Sequence, residues 1–137
     1  MKTRIELGYI HMSRWNNKTS RIFSDWIYRE ADPNSKDEYY RKLAKEIKET
    51  KPNEVILPAN TTFTIKIDYP LENPFENTFT TGDKGMTRKQ VINNVVKWYR
   101  HIYTQERKYG IWGHCLGDLI LTTLIVEGNR LRVSCDS

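Results

Sequence analysis

Between Val91 and Tyr103 the apolar positions recur at three- and four-residue spacing: Val91, Ile92, Val95, Val96, Trp98, Tyr99, Ile102 and Tyr103. Lys89, Asn93, Lys97, Arg100, His101 and Thr104 fall on the opposite side. Strict alternation is absent, so the pattern predicts an amphipathic helix running on to Glu106 rather than a strand. Thr87 and Gln90 have the spacing of a capping box, each side chain accepting from the other residue's backbone N–H. Gly110 marks the stop, with Arg107 and Lys108 at the negative end of the helix dipole. Val, Ile, Trp and Tyr are modest helix formers, so burial must stabilise this helix, and Val95 and Tyr99 are expected in the core. A glycine-bounded loop, Thr81 to Gly85, leads in, and a GIWGH turn leads out with Trp112 expected to plug the core.

The other elements are predicted around this helix. Ile5, Leu7 and Tyr9 alternate with polar residues, as in a short strand or extended arm over about residues 1–12. Ile22, Phe23, Trp26 and Ile27 have helical spacing and predict a helix from about Ser20 to Ala31, ended by Asp32-Pro33-Asn34. A second helix is expected over Lys36–Glu49, capped by Ser35 and Glu38 and laced by Asp37–Arg41, Glu38–Lys42 and Lys45–Glu49 pairs. Val55 to Leu57 reads as a short strand. In Thr61 to Tyr69, Phe63, Ile65, Ile67 and Tyr69 alternate with Thr62, Thr64, Lys66 and Asp68, the signature of a half-buried strand. Pro70 to Thr81, with its prolines and asparagines, reads as a long loop. Leu119 to Val126 is an almost unbroken apolar strand, and Gly128-Asn129 turns it into a hairpin with Leu131 to Cys135. Helices followed by strands, without βαβ alternation, predict an α+β single domain over residues 1–137. Its small, mainly antiparallel sheet would carry the central helix across it, with two further helices in the N-terminal half. The apolar strand calls for cover on both faces, and the C-terminal hairpin would leave an open edge, which together predict a homodimer.

A chain of 137 residues with 28% charged and 12% aromatic residues has the composition of a globular domain, not of a disordered segment. No apolar run approaches the ~20 residues that span a bilayer, so no membrane role is expected. The N-terminus lacks a secretory h-region, and the chain is expected not to be secreted. Cys115 and Cys135 show no metal spacing, and reduced thiols are expected. His11, His101 and His114 form no metal motif with the carboxylates, so neither metal nor cofactor is expected. The net charge of +5 permits contact with nucleic acid or an acidic protein partner without demanding it.

Three groups of residues invite a functional reading, each beside a plainer one. Arg14, Trp15, Lys18, Arg21 and Trp26, joined by a Lys89, Lys97, Arg100 stripe, have the composition of a nucleic-acid surface, in which cations neutralise phosphates and aromatics stack on bases. The plainer reading makes Trp26 and Phe23 core and the basic residues an ordinary solvated face. Lys84 and Arg88, at the helix N-terminus, are anion-binding candidates, although the P-loop spacing is missing. A tight turn explains the same glycines. His114 and Asp118, four apart and next to Cys115, are weak candidates for an oriented base in a small hydrolase or nuclease. His114 as a turn residue is the plainer reading.

GDKGMTR, a helix ending WYRHIYTQE, and GIWGH before a leucine-rich strand resemble a group of uncharacterised proteins of large nucleocytoplasmic DNA viruses, including marseilleviruses. The similarity covers roughly Phe63 to Val126. The resemblance implies a small viral protein without known activity, packaged in the virion and present in the cytoplasm or nucleus of the infected cell. It carries over no site residues. The sequence therefore leads to a non-enzymatic binding or structural module acting as a homodimer, with nucleic-acid binding as the alternative.

Overall fold

The computed structural model describes residues 1–15, 34–38, 41–42, 45 and 51–137. Its strands are β1 (Lys2–His11), β2 (Val55–Leu57), β3 (Thr62–Ile67), β4 (Phe75–Thr80), β5 (Met86–Thr87), β6 (Ile120–Glu127) and β7 (Arg130–Asp136), and its helices are α1 (Arg88–Tyr103) and the short α2 (Glu106–Tyr109). Five strands form one sheet in the order β1-β6-β7-β3-β4. The β3–β7 pairing is parallel and the other three are antiparallel, so the sheet is mixed. β2 and β5 form a separate two-stranded ribbon. The α+β class holds.

α1 lies against one face of the sheet and supplies Val91, Ile92, Val95, Val96, Tyr99 and Ile102 to the core, where they meet Leu7, Ile10, Phe63, Ile65, Ile67, Leu121, Leu124 and Leu131. Val95 and Tyr99 are fully buried, as the helical periodicity requires. The capping box forms in full: Thr87 Oγ1 accepts from the Gln90 N–H and Gln90 Oε1 from the Thr87 N–H. The helix ends at Tyr103, short of Glu106, because the Thr104 and Gln105 N–H groups turn back to the His101 and Ile102 carbonyls. Gly110 then takes the left-handed conformation (φ 65°) that closes α2.

Several expectations need correcting. Pro70 to Thr81 is not all loop. FENTFT forms β4, paired with β3 from Thr62–Thr80 to Ile67–Phe75, because Phe75 and Phe79 alternate with outward polar residues despite Asn77. Tyr69 lies beyond β3 and is 37% exposed, since the chain turns at Asp68, whose carbonyl accepts from the Leu71 N–H. β7 is not an edge: β3 pairs with its outer side, and among the described residues the outer strands of the sheet are β1 and β4. Gly8 (φ 124°) shifts the β1 register, so Leu7, Ile10 and Met12 are buried in place of strict alternation. The expected helix at Ser20–Ala31 lies outside the described residues, as does most of that at Lys36–Glu49. Among the described residues the bounded helical element in the N-terminal half is a single 3-10 turn, Met12–Arg14, and no further α-helix is delineated there. Of the second, Ser35 Oγ accepts from the Asp37 N–H, Lys42 pairs with Glu38 at 3.3 Å, and Arg41 donates to the Ser35 and Lys36 carbonyls.

Candidate functional site

The loop before α1 is held by internal bonds. Thr81, 3% exposed, donates its hydroxyl to the Pro58 carbonyl and accepts from the Thr61 N–H. A Cβ on Gly85 (φ 74°) would run into the Leu57 carbonyl and lie 2.9 Å from Val55 Cγ1. The donors on which an anion site would rest are taken. The N–H groups of Arg88, Lys89 and Gln90 go to Glu54 O, Pro52 O and Thr87 Oγ1. The Arg88 guanidinium turns inward, 8% exposed, to Glu6 O, Lys51 O and Glu54 Oε1 at 2.8, 2.8 and 3.1 Å. Arg88 is therefore a clamp between β1, α1 and the chain before β2, while Lys84 stays exposed.

The basic and aromatic residues of the N-terminal third are not gathered into one surface among the described residues. Trp15 is core, 2% exposed, and donates its indole N–H to Asn93 Oδ1 at 2.7 Å. Buried in this way it offers no face for a base. Arg100 donates to the Met12 and Trp15 carbonyls, tying α1 to the end of β1. Lys89 is half-buried and Lys97 exposed. Lys18, Arg21 and Trp26 lie outside the described residues, as does the side chain of Arg14.

At the other end of α1, Trp112 does not plug the core: it is 73% exposed. The left-handed Gly113 (φ 71°) swings the turn outward, with open space where a side chain would begin. His114 sits against the Tyr69 ring at 5.6 Å, and its carbonyl accepts from Tyr103 Oη at 3.3 Å. Asp118 bonds to Cys115 rather than to His114: Oδ2 accepts from both the Cys115 thiol and its backbone N–H, each at 3.2 Å. Those two bonds, the thiol first, hold the fully exposed Asp118 carboxyl below its usual range, aided by His114. The thiol is thus a proton donor to a weak base, the reverse of an activated nucleophile. Among the described residues no three His, Cys, Asp or Glu side chains converge on a metal position.

A concave surface lies on the face of the sheet opposite α1, and the sequence reading did not single it out. Leu131 points to the core, so Arg130 and Arg132 point the other way. Parallel register sets Thr64 beside Arg130 and Lys66 beside Arg132, while Ile125 lies opposite Arg132, and Arg4 opposite Ile125. Thr64, Lys66, Ile125, Arg130 and Arg132, with Glu76, Glu127 and Asn129, line a groove of about 510 Å³. Arg132 is paired to Asp68 at 2.6 Å. The side chains of Lys66 and Arg130 have no hydrogen bond or ion pair among the described residues. The signal was present in the alternation of Arg130 and Arg132 with Leu131 and Val133, but a basic pair on one strand acquires meaning only once Lys66 is known to lie alongside.

Compared with protein-family models, curated proteins and solved structures, the chain matches none. No helix among the described residues is long and apolar enough to cross a membrane.

Proposed function

We propose that this chain is a non-enzymatic binding protein of viral origin, working as a homodimer in the virion, and that the open face of its sheet receives an acidic protein segment. The observation that carries this reading is the groove in which Lys66, Arg130 and Arg132 stand together. Residues two apart on a strand are separated by ~6.6 Å, the same repeat as alternate side chains of an extended peptide. An acidic segment laid along β7 would therefore meet Arg130 and Arg132 in step, and guanidinium groups take carboxylates through two parallel bonds. Thr64 and Thr78 share a hydroxyl bond at 3.0 Å on the same face and keep its floor polar. Nucleic acid is the less favoured ligand, because the groove lining includes no aromatic ring on which a base would stack.

Titration of a labelled Asp/Glu-rich decapeptide and of a labelled single-stranded oligonucleotide, each with the wild type and with Arg130→Glu/Arg132→Glu, tests this. The expected result is peptide binding that weakens at least tenfold in the variant while the melting temperature holds. Tighter binding of the oligonucleotide, with a steep salt dependence, would transfer the surface to nucleic acid. Absence of both would remove the open face from the proposal.

A further inference from the structure

Among the described residues the sheet has two outer strands, and one of them is protected. On β1 the register breaks between Glu6 and Ile10, and the outward row carries Lys2, Arg4 and Glu6. The Arg88 guanidinium occupies the Glu6 carbonyl, and Arg100 the Met12 and Trp15 carbonyls just beyond the strand. Bulges, charges and capped carbonyls are the devices that keep an edge from pairing. Among the described residues β4 has no bulge and no capped outward carbonyl. Its register with β3 is unbroken, FENTFT contains no proline, and Glu76 is its single charge.

The direction of the β4 backbone groups follows from β3. Thr64 donates its N–H to the Asn129 carbonyl, on the β7 side. Thr62, Thr64 and Lys66 therefore aim their N–H and C=O groups at β7, while Phe63, Ile65 and Ile67 aim theirs at β4. Their partners Phe79, Asn77 and Phe75 aim back. That leaves Glu76, Thr78 and Thr80 with N–H and C=O directed outward, and all three residues are exposed.

The geometry points to β4 of one copy pairing antiparallel with β4 of a second, about a two-fold axis through Thr78. This rests on the homodimer reading and gives it a location. In that register Thr78 faces Thr78 of the partner subunit, and Glu76 faces Thr80 of the partner subunit in both directions. Each facing pair exchanges two backbone hydrogen bonds, so every outward group is used. No carboxylate faces its own copy. A register centred on Asn77 would set Thr80 against Pro74 of the partner subunit, which has no N–H to give the Thr80 carbonyl. On the α1 side, Phe79 would lie diagonal to Phe79 of the partner subunit. The rim of partly buried rings formed by Phe75, Phe79 and Trp98, with centroids 5.7–6.5 Å apart, would then gain cover.

Cysteine trapping and light scattering at micromolar concentration test this in a Cys115→Ser background. Facing residues in such a pair lie ~5.5 Å apart at Cα, within the reach of a disulfide. Thr78→Cys is expected to cross-link into a covalent dimer on mild oxidation, and Asn77→Cys is not. Thr78→Pro removes an outward N–H without touching the ladder to β3, so it is expected to melt close to the wild type while its mass falls to one chain. A wild type with the mass of one chain would overturn both the homodimer and this edge. A dimer that survives Thr78→Pro, or cross-links at Asn77→Cys and not at Thr78→Cys, would overturn the proposed pairing while leaving the homodimer standing.

Discussion

The two turns that bracket α1 are both glycine-rich and read alike in the sequence, yet they are built in opposite ways. The entry turn, Thr81 to Arg88, is knit to the rest of the chain: Thr81 holds the Pro58 and Thr61 backbones, Arg88 holds three segments, and Gly85 presses against the β2 strand. The exit turn, Gly110 to Asp118, leans outward, with an exposed Trp112, open space at Gly113 and a carboxylate whose bonds stay within the turn. Glycine at a left-handed φ is required in both, but only at the entry does a neighbouring backbone also exclude a side chain. The exit turn is also fixed at its start, where Gly110 lies against Glu72 and its carbonyl accepts from the Glu72 N–H, and it is open from Trp112 to Gly113.

The contrast can be broken by substitution. Gly85→Ala adds both left-handed strain and a collision with the Leu57 carbonyl, and should destabilise by more than ~3 kcal/mol in a denaturant titration. Gly113→Ala carries the same φ penalty without the collision and should cost only about 1 kcal/mol. Equal losses at the two glycines would erase the distinction. Arg88→Met leaves the Glu6 and Lys51 carbonyls without their donor and should cost about 2–3 kcal/mol, against almost nothing for Lys84→Met. Thr81→Val, which keeps the shape and removes the hydroxyl, should cost about 1–2 kcal/mol by the same measurement. Trp112→Ala should fall within ~0.5 kcal/mol, and a larger loss would place that ring in the core after all.

The smallest effect is a pH dependence at the exit turn. Asp118 is held below its usual pKa, so its contribution to stability is present above the ordinary carboxylate range and lost as pH falls through the folded value. Asp118→Asn should flatten that acidic limb of the melting curve slightly and leave neutral pH unchanged. Cys135 behaves in the opposite sense. Burial pushes its thiol up to about 11 from 9.0, so folding loses support as pH rises between those values.

Much of this was legible because it is local. The Thr87–Gln90 box, the buried stripe from Val91 to Ile102 and the β6–β7 hairpin each depend on residues a few positions apart. β4 was hidden because its two apolar residues flank Asn77 and follow Pro74, and its pairing partner lies in β3. The exposure of Trp112 was hidden too, since a tryptophan between glycines reads as core until the φ of Gly113 is known. Arg88 as a clamp and Trp15 as a core residue depend on partners 82 and 78 positions away, Glu6 and Asn93. The groove joins Lys66 to Arg130 and Arg132 across a parallel seam that the expected antiparallel sheet did not contain.

That seam also sets an order of assembly. β3–β4 and β6–β7 are hairpins that close over short loops, but the link between them is a short parallel contact from Thr64–Arg130 to Lys66–Arg132, closed over more than sixty residues of chain. β1 is likewise completed only by β6. During synthesis the first strand and the β3–β4 hairpin must wait with unsatisfied edges until the last two strands emerge. Contacts so distant in sequence slow folding relative to a helical bundle of this size and lengthen the exposure of β1 and of the outer side of β3. β1, the first strand to be made, is thus the one that waits longest, since its partner β6 begins only at Ile120.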